Sequence, residues 1–135
     1  MSTIRDLERI GIDVNAQTPA VAASLTFIAE HYLERLTADQ IAAAGGHATR
    51  TMQEAFRRDL DRTAITIILE LRLRAARDIL QRGGGPIVIR DVAARVGWAH
   101  PGRFSVRYRE LFGETPMETL RARARVGQQR VMANP

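Results

Sequence analysis

The sequence predicts an all-α chain built from two copies of one small helical unit, and three observations carry that expectation. Apolar residues recur at three- and four-residue spacing along most of the chain. Strand signals are scarce, with one short β-branched run at Pro86 to Ile89. A pattern of small, apolar and aromatic positions then returns 51 to 52 residues later: Ala42 with Ala93, Gly46 with Gly97, Met52 with Phe104, Phe56 with Tyr108, Leu60 with Phe112 and Ile68 with Leu120. The offset grows by one because the second turn holds one extra residue.

Residues 1 to 21 are too short for a further domain and read as an N-terminal tail or linker. Ser24 to Leu36 is the first amphipathic helix, with Leu25, Ile28, Ala29, Tyr32, Leu33 and Leu36 on one face. Thr37 and Gln40 form a capping box for a short helix, Ala38 to Ala44, which Gly45 and Gly46 end. A helix over Thr49 to Leu60 turns Met52, Ala55, Phe56 and Leu60 inward and leaves Arg50, Gln53, Glu54, Arg57 and Arg58 outside. The first unit is thus residues 22 to 63. A linking segment, 64 to 82, holds a long helix of about Ile65 to Gln81, and Gly83, Gly84, Gly85 and Pro86 break the chain after it.

The second unit, 83 to 127, repeats the plan. Gly97 ends its short helix, where a left-handed turn is cheap only for glycine. Phe104, Tyr108 and Phe112 recur every four residues along the next helix, with Arg103, Arg107 and Arg109 between them. Thr115, Pro116 and Glu118 supply an N-cap, a proline at the first helical position and a capping-box acid for the last helix. Residues 128 to 135 read as a C-terminal tail.

Composition excludes several chemistries. The chain has no cysteine, so it has no disulfide, thiolate metal site or thiol nucleophile. His31, His47 and His100 are isolated, without an HExxH motif or a close carboxylate, and "GGGP" lacks the lysine and helix of a phosphate-cradling loop. No catalytic residue, metal site or cofactor is expected, nor a small-molecule site in this chain. No apolar run has the length of a membrane span and the N-terminus is not a signal peptide, so a cytoplasmic location is expected.

The formal net charge is +5 and all 20 basic residues are arginine. Arginine suits phosphate and guanine, and a GC-rich coding sequence yields the same usage. The distribution says more: residues 1 to 48 hold three arginines against six acids, and residues 49 to 135 hold 17 against nine. A one-sided basic surface is the footprint of a polyanion partner, or else a solvated charged face.

A short helix, a glycine turn and a longer helix make a helix-turn-helix, present here twice. With "RLRAARDIL" at Arg72 to Leu80 and "VAARVGWAHPGRFSVRYRELFGETPMETLR" at Val92 to Arg121, residues 22 to 125 resemble the DNA-binding domain of the AraC/XylS family of bacterial transcription regulators. The resemblance implies about seven helices in two helix-turn-helix subdomains joined by a long central helix. Each subdomain would place a recognition helix in the major groove of double-stranded DNA, with RNA polymerase as a further partner. Trp98 stands where the family usually has Phe. The first copy departs further, with Ala48, Asp61 and Ala64 where the family commonly has Ser, Gly and Pro.

Carried over by position, the first recognition helix would contact DNA through Thr49, Arg50, Gln53, Glu54 and Arg57. The second would use His100, Pro101, Gly102, Arg103, Ser105, Val106 and Arg107. Arginine grips guanine with two bonds, glutamine suits adenine, and glutamate accepts from cytosine N4. Arg103 is the expected base reader and Arg107 a phosphate contact. Glu54 is equally a cytosine contact and a surface charge paired with Arg50 or Arg58. Gly97, Trp98, Phe104, Tyr108, Phe112, Gly113 and Pro116 are scaffold, and Arg72 is read as structural. The rival function is a non-catalytic interaction module, a degenerate helix-turn-helix that binds polymerase or another regulator. Most relatives carry a separate effector-sensing domain, so the chain is either a single-domain regulator or a fragment of a longer one.

Overall fold

The computed structural model describes the backbone of residues 3–133 and the side chains of residues 4–125. The chain is all-helical over that span, without strands, and forms two compact units, residues 1–72 and 73–135. The boundary falls inside the long helix, in the segment 64 to 82 expected to link the two units. No helix among the described residues is long and apolar enough to cross a membrane.

The first unit contains α1 (Thr3–Arg9), a 3-10 turn (Val14–Ala16), α2 (Pro19–His31), α3 (Ala38–Ala44), α4 (Thr49–Leu60) and the start of α5 (Ala64–Arg82). The segment expected as a tail is therefore folded, and α1 is the helix beyond the seven anticipated. Leu7, Ile10, Ile12 and Val14 are buried with Val21, Leu25 and Ile28 of α2 in one core. Gly11 turns the chain at φ +83°, and Asp13 caps the 3-10 turn by accepting from the Asn15 amide at 3.0 Å. These elements are too short to show a period, which is why they read as a tail.

α2 starts five residues before Ser24, because the Thr18 hydroxyl caps it and Pro19 takes the first helical position. It also ends sooner. Arg72 Nε donates to the Tyr32 carbonyl at 2.7 Å and its Nη2 to the Glu34 carbonyl at 2.8 Å, satisfying carbonyls that a continued helix would have used. Leu33, expected on the inner face, is half exposed beyond the helix end, whereas Tyr32 and Leu36 pack against the core.

At α3 the expected capping box forms: Thr37 Oγ1 accepts from the Gln40 amide at 3.1 Å, and Gln40 Oε1 from the Thr37 amide at 3.0 Å. The turn that follows is held by a polar clasp. The fully buried Ser24 donates to the Ile41 carbonyl at 2.7 Å and so accepts from His47 Nε2 at 3.0 Å. A Cβ on Gly45 would lie 2.4 Å from the Ala20 carbonyl oxygen and 2.6 Å from Ser24 Oγ. Close approach fixes this glycine, whereas Gly46 is fixed by its φ of +72°.

In the second unit, Leu73, Ala76 and Leu80 of α5 pack with Val92, Ala93 and Val96 of α6 (Ile89–Arg95) and with Phe104 and Tyr108 of α7 (Pro101–Phe112). The β-branched run before α6 forms no strand. α8 (Pro116–Ala133) begins at the expected cap, with the Glu118 amide donating to Thr115 Oγ1 at 3.1 Å and Pro116 buried. Its backbone remains helical through most of the expected C-terminal tail, where Gln, Arg, Met and Ala favour a helix. Residues 134 and 135 lie outside the described residues.

Candidate nucleic-acid interface

α7 is anchored from behind by rings. Phe104 and Tyr108 are fully buried, and successive centroids lie 6.1 Å apart for Trp98 and Phe104, 5.8 Å for Phe104 and Tyr108, and 4.6 Å for Tyr108 and Phe112. The guanidinium of Arg77 sits 4.5 Å from the Phe112 centroid and also pairs with Glu114 at 3.4 Å. Glu114 accepts from Thr119 Oγ1 at 2.7 Å, and that hydroxyl is 2.7 Å from the Tyr108 phenol. Thr119 has one proton, so its bond to Glu114 leaves the Tyr108 O–H to donate to Thr119. Burial then pushes the Tyr108 pKa up and keeps that proton in place.

The opposite side of α7 is open. His100, Pro101, Gly102, Arg103, Val106 and Arg107 are exposed, and Ser105 is half-buried. Arg103 has no hydrogen-bond or ion-pair partner among the described residues, and Arg107 makes one loose exposed contact, 3.4 Å to Glu110. Gly97 takes the left-handed turn the sequence predicts, at φ +87° before the helix, and Gly113 ends the helix at φ +74°. Trp98, however, is half-buried, and its indole N–H is shielded from solvent with no acceptor among the described residues.

α4 presents a comparable face in its own unit. Met52, Ala55 and Phe56 are buried, while Arg50, Gln53, Glu54 and Arg57 are exposed. Arg50 Nε donates to Glu54 Oε1 at 3.1 Å, the surface-pair reading of Glu54, and Arg58 is engaged by Asp59 at 2.8 Å. Arg57 and Gln53 have no partner among the described residues. Ala48 caps α4 without a side-chain bond. The Thr49 hydroxyl donates to Asp39. Asp61 ends the helix at φ +54°, in the left-handed position that Gly113 holds in the second copy. His31, expected to lack a nearby carboxylate, lies 2.6 Å from Glu34 Oε2.

A family profile described as a helix-turn-helix domain matches residues 41–122. The chain is 30% identical over 102 residues to the probable thc operon regulatory protein of Rhodococcus erythropolis, an alignment covering 75% of this chain and 31% of that protein. It is 26% identical over 121 residues to a XylDLEGF operon transcriptional activator of Pseudomonas putida, covering 85% and 38%. The chain thus spans about a third of the length of these curated relatives. Among solved structures, a probable AraC family transcriptional regulator from Rhodopseudomonas palustris superposes with a TM-score of 0.74 at 27% identity, covering 78% of this chain and 98% of that one.

Proposed function

From the premise that the chain belongs to the AraC/XylS family of transcription regulators, we propose that it binds double-stranded DNA sequence-specifically, with α7 as its principal major-groove reader. The observation that carries this reading is the two-sidedness of α7. A ladder of rings holds one face, while an unpaired guanidinium, an apolar Val106 and a loosely paired Arg107 occupy the other. Arg103 near the helix N-terminus is placed to take two bonds from guanine, Val106 to touch a thymine methyl, and Arg107 to hold phosphate. Gly102, Pro101 and His100 keep the helix start slim enough for a base edge to approach. Ser105 lies at the margin of the same face.

α4 is the second reader in this proposal. Its usable donors are Gln53 and Arg57, because Arg50 and Glu54 neutralise each other and Thr49 is committed to Asp39. RNA polymerase is the protein partner that the family reading implies. The chemistry is recognition, without catalysis.

Selection of bound duplexes from a random pool, followed by titration of the winner across salt concentrations, tests the proposal. A specific duplex whose affinity falls steeply with salt is the expected result. No enrichment, or an affinity flat in salt, would overturn it and favour the interaction-module reading.

A further inference from the structure

The first unit has a groove beside α4. Leu36, Ile41, Met52, Ile65 and Ile68 line a space of about 530 Å³ there, with Arg57 also in its lining. That volume lies within the range of small-ligand sites, and its lining is mostly apolar with a few polar groups at one edge. In the second unit the counterpart of Met52 is the larger Phe104, against which Trp98 packs. The counterpart of Trp98 in the first unit is His47, which is drawn to Ser24 instead. The first unit thus has a methionine and a small imidazole where the second has two larger rings.

The charge of the edge selects the occupant. Two arginines and one glutamate line the groove, and Arg50 is matched to Glu54 at 3.1 Å. Arg57 remains, without a carboxylate partner among the described residues. We infer that this groove binds a small hydrophobic carboxylate, its apolar body against Leu36, Ala64 and Ile65 beside the buried Met52 and its anionic head on the Arg57 guanidinium. This departs from the expectation that the chain has no small-molecule site. A bound acid would occupy the same donor, Arg57, that the proposed function gives to DNA, so acid and duplex should compete at α4; that consequence, unlike the binding itself, rests on the DNA-binding reading.

Octanoate is the probe and the Met52 methyl the reporter. The chain has four methionines, and Met117, exposed in the second unit, serves as internal control. In methyl-labelled full chain without DNA, octanoate should shift the Met52 signal saturably and leave Met117 unmoved. 1-Octanol, which lacks the charge, should bind about tenfold more weakly or worse, as expected for the loss of one charge-assisted bond. Ile65→Glu, a change at a residue 58% exposed, should abolish the shift with the fold intact. Equal binding of octanol and octanoate, parallel shifts at Met117, or a silent Met52 would each overturn the inference. Octanoate should also weaken binding of a selected duplex. Saturation of Met52 without loss of duplex affinity would refute the competition alone, whereas failure to bind any duplex without octanoate would refute the DNA reading and leave the groove result standing.

Discussion

Arg103 and Arg107 stand about one turn apart on α7, and their loss should read out differently. Arg103 is exposed and unpartnered, so Arg103→Ala should cost ~1 to 3 kcal/mol on a selected duplex and relax the preference at one base pair. Arg107→Ala should weaken selected and scrambled duplexes about equally. Anisotropy titrations of both variants on both duplexes separate the roles, and uniform loss for Arg103→Ala would make it a backbone contact. Trp98 tests packing in the same way. Its ring lies against Phe104, while its N–H is buried without an acceptor among the described residues. Trp98→Phe keeps a ring and removes the unsatisfied donor, so it should stay within ~1 kcal/mol of the parent or exceed it. Trp98→Ala should lose roughly 2 to 3 kcal/mol, somewhat less than a fully buried tryptophan would. Urea denaturation of the pair decides the matter; equal losses would mean that the indole N–H does useful bonding. Residues of this kind were only partly legible in the sequence. The ring ladder follows from four-residue spacing, whereas Gly45 is fixed by contact with Ala20 and Ser24, some 20 residues away in the chain, and no local pattern announces that.

At the scale of elements, the two recognition helices are the same device finished to different standards. α7 begins with a proline and ends on a left-handed glycine, whereas α4 begins uncapped at Ala48 and ends on a left-handed aspartate. Ala48 already has the extended backbone of an N-cap, φ -66° and ψ 152°, and its side chain is exposed. Ala48→Ser should therefore raise stability by about 1 kcal/mol, read as a higher urea midpoint at unchanged slope. Asp61→Gly should add less, roughly 0.5 kcal/mol, because relief of the left-handed strain is partly offset by the greater freedom of glycine in the unfolded chain. A null result for Ala48→Ser would mean that the first-turn amides of α4 already have partners. Elements with a cap box or a full apolar stripe, α3, α4, α7 and the start of α8, were legible because their signals are local. α1 and the true limits of α2 were not. Seven residues of α1 show no period until Leu7 is seen against α2, and the end of α2 is set by Arg72, forty residues downstream of Tyr32.

For the whole molecule, the division into units sharpens the charge asymmetry seen along the chain. Residues 1–72 hold eight arginines against ten carboxylates, net -2, and residues 73–135 hold twelve against five, net +7. A phosphate backbone attracts the second unit and is repelled, weakly, by the first. Within the first unit the reading helix adds little, since Arg50 is matched by Glu54 and Arg58 by Asp59. The electrostatic part of duplex affinity should therefore come from the second unit, with the first contributing mainly shape and the contacts of Gln53 and Arg57. Salt dependence measures this directly, because each phosphate contact contributes roughly 0.9 to the slope of log affinity against log salt. Replacing Arg103 and Arg107 together by Gln should lower the slope by about one, the share of the single phosphate contact among them, and abolish the preference for the selected duplex. Replacing Arg50 and Arg57 together by Gln should leave most of the slope and reduce affinity modestly. If the second pair instead removed as much slope as the first, both helices would be gripping the backbone alike, and the unequal finish of the two copies would have no counterpart in how they bind.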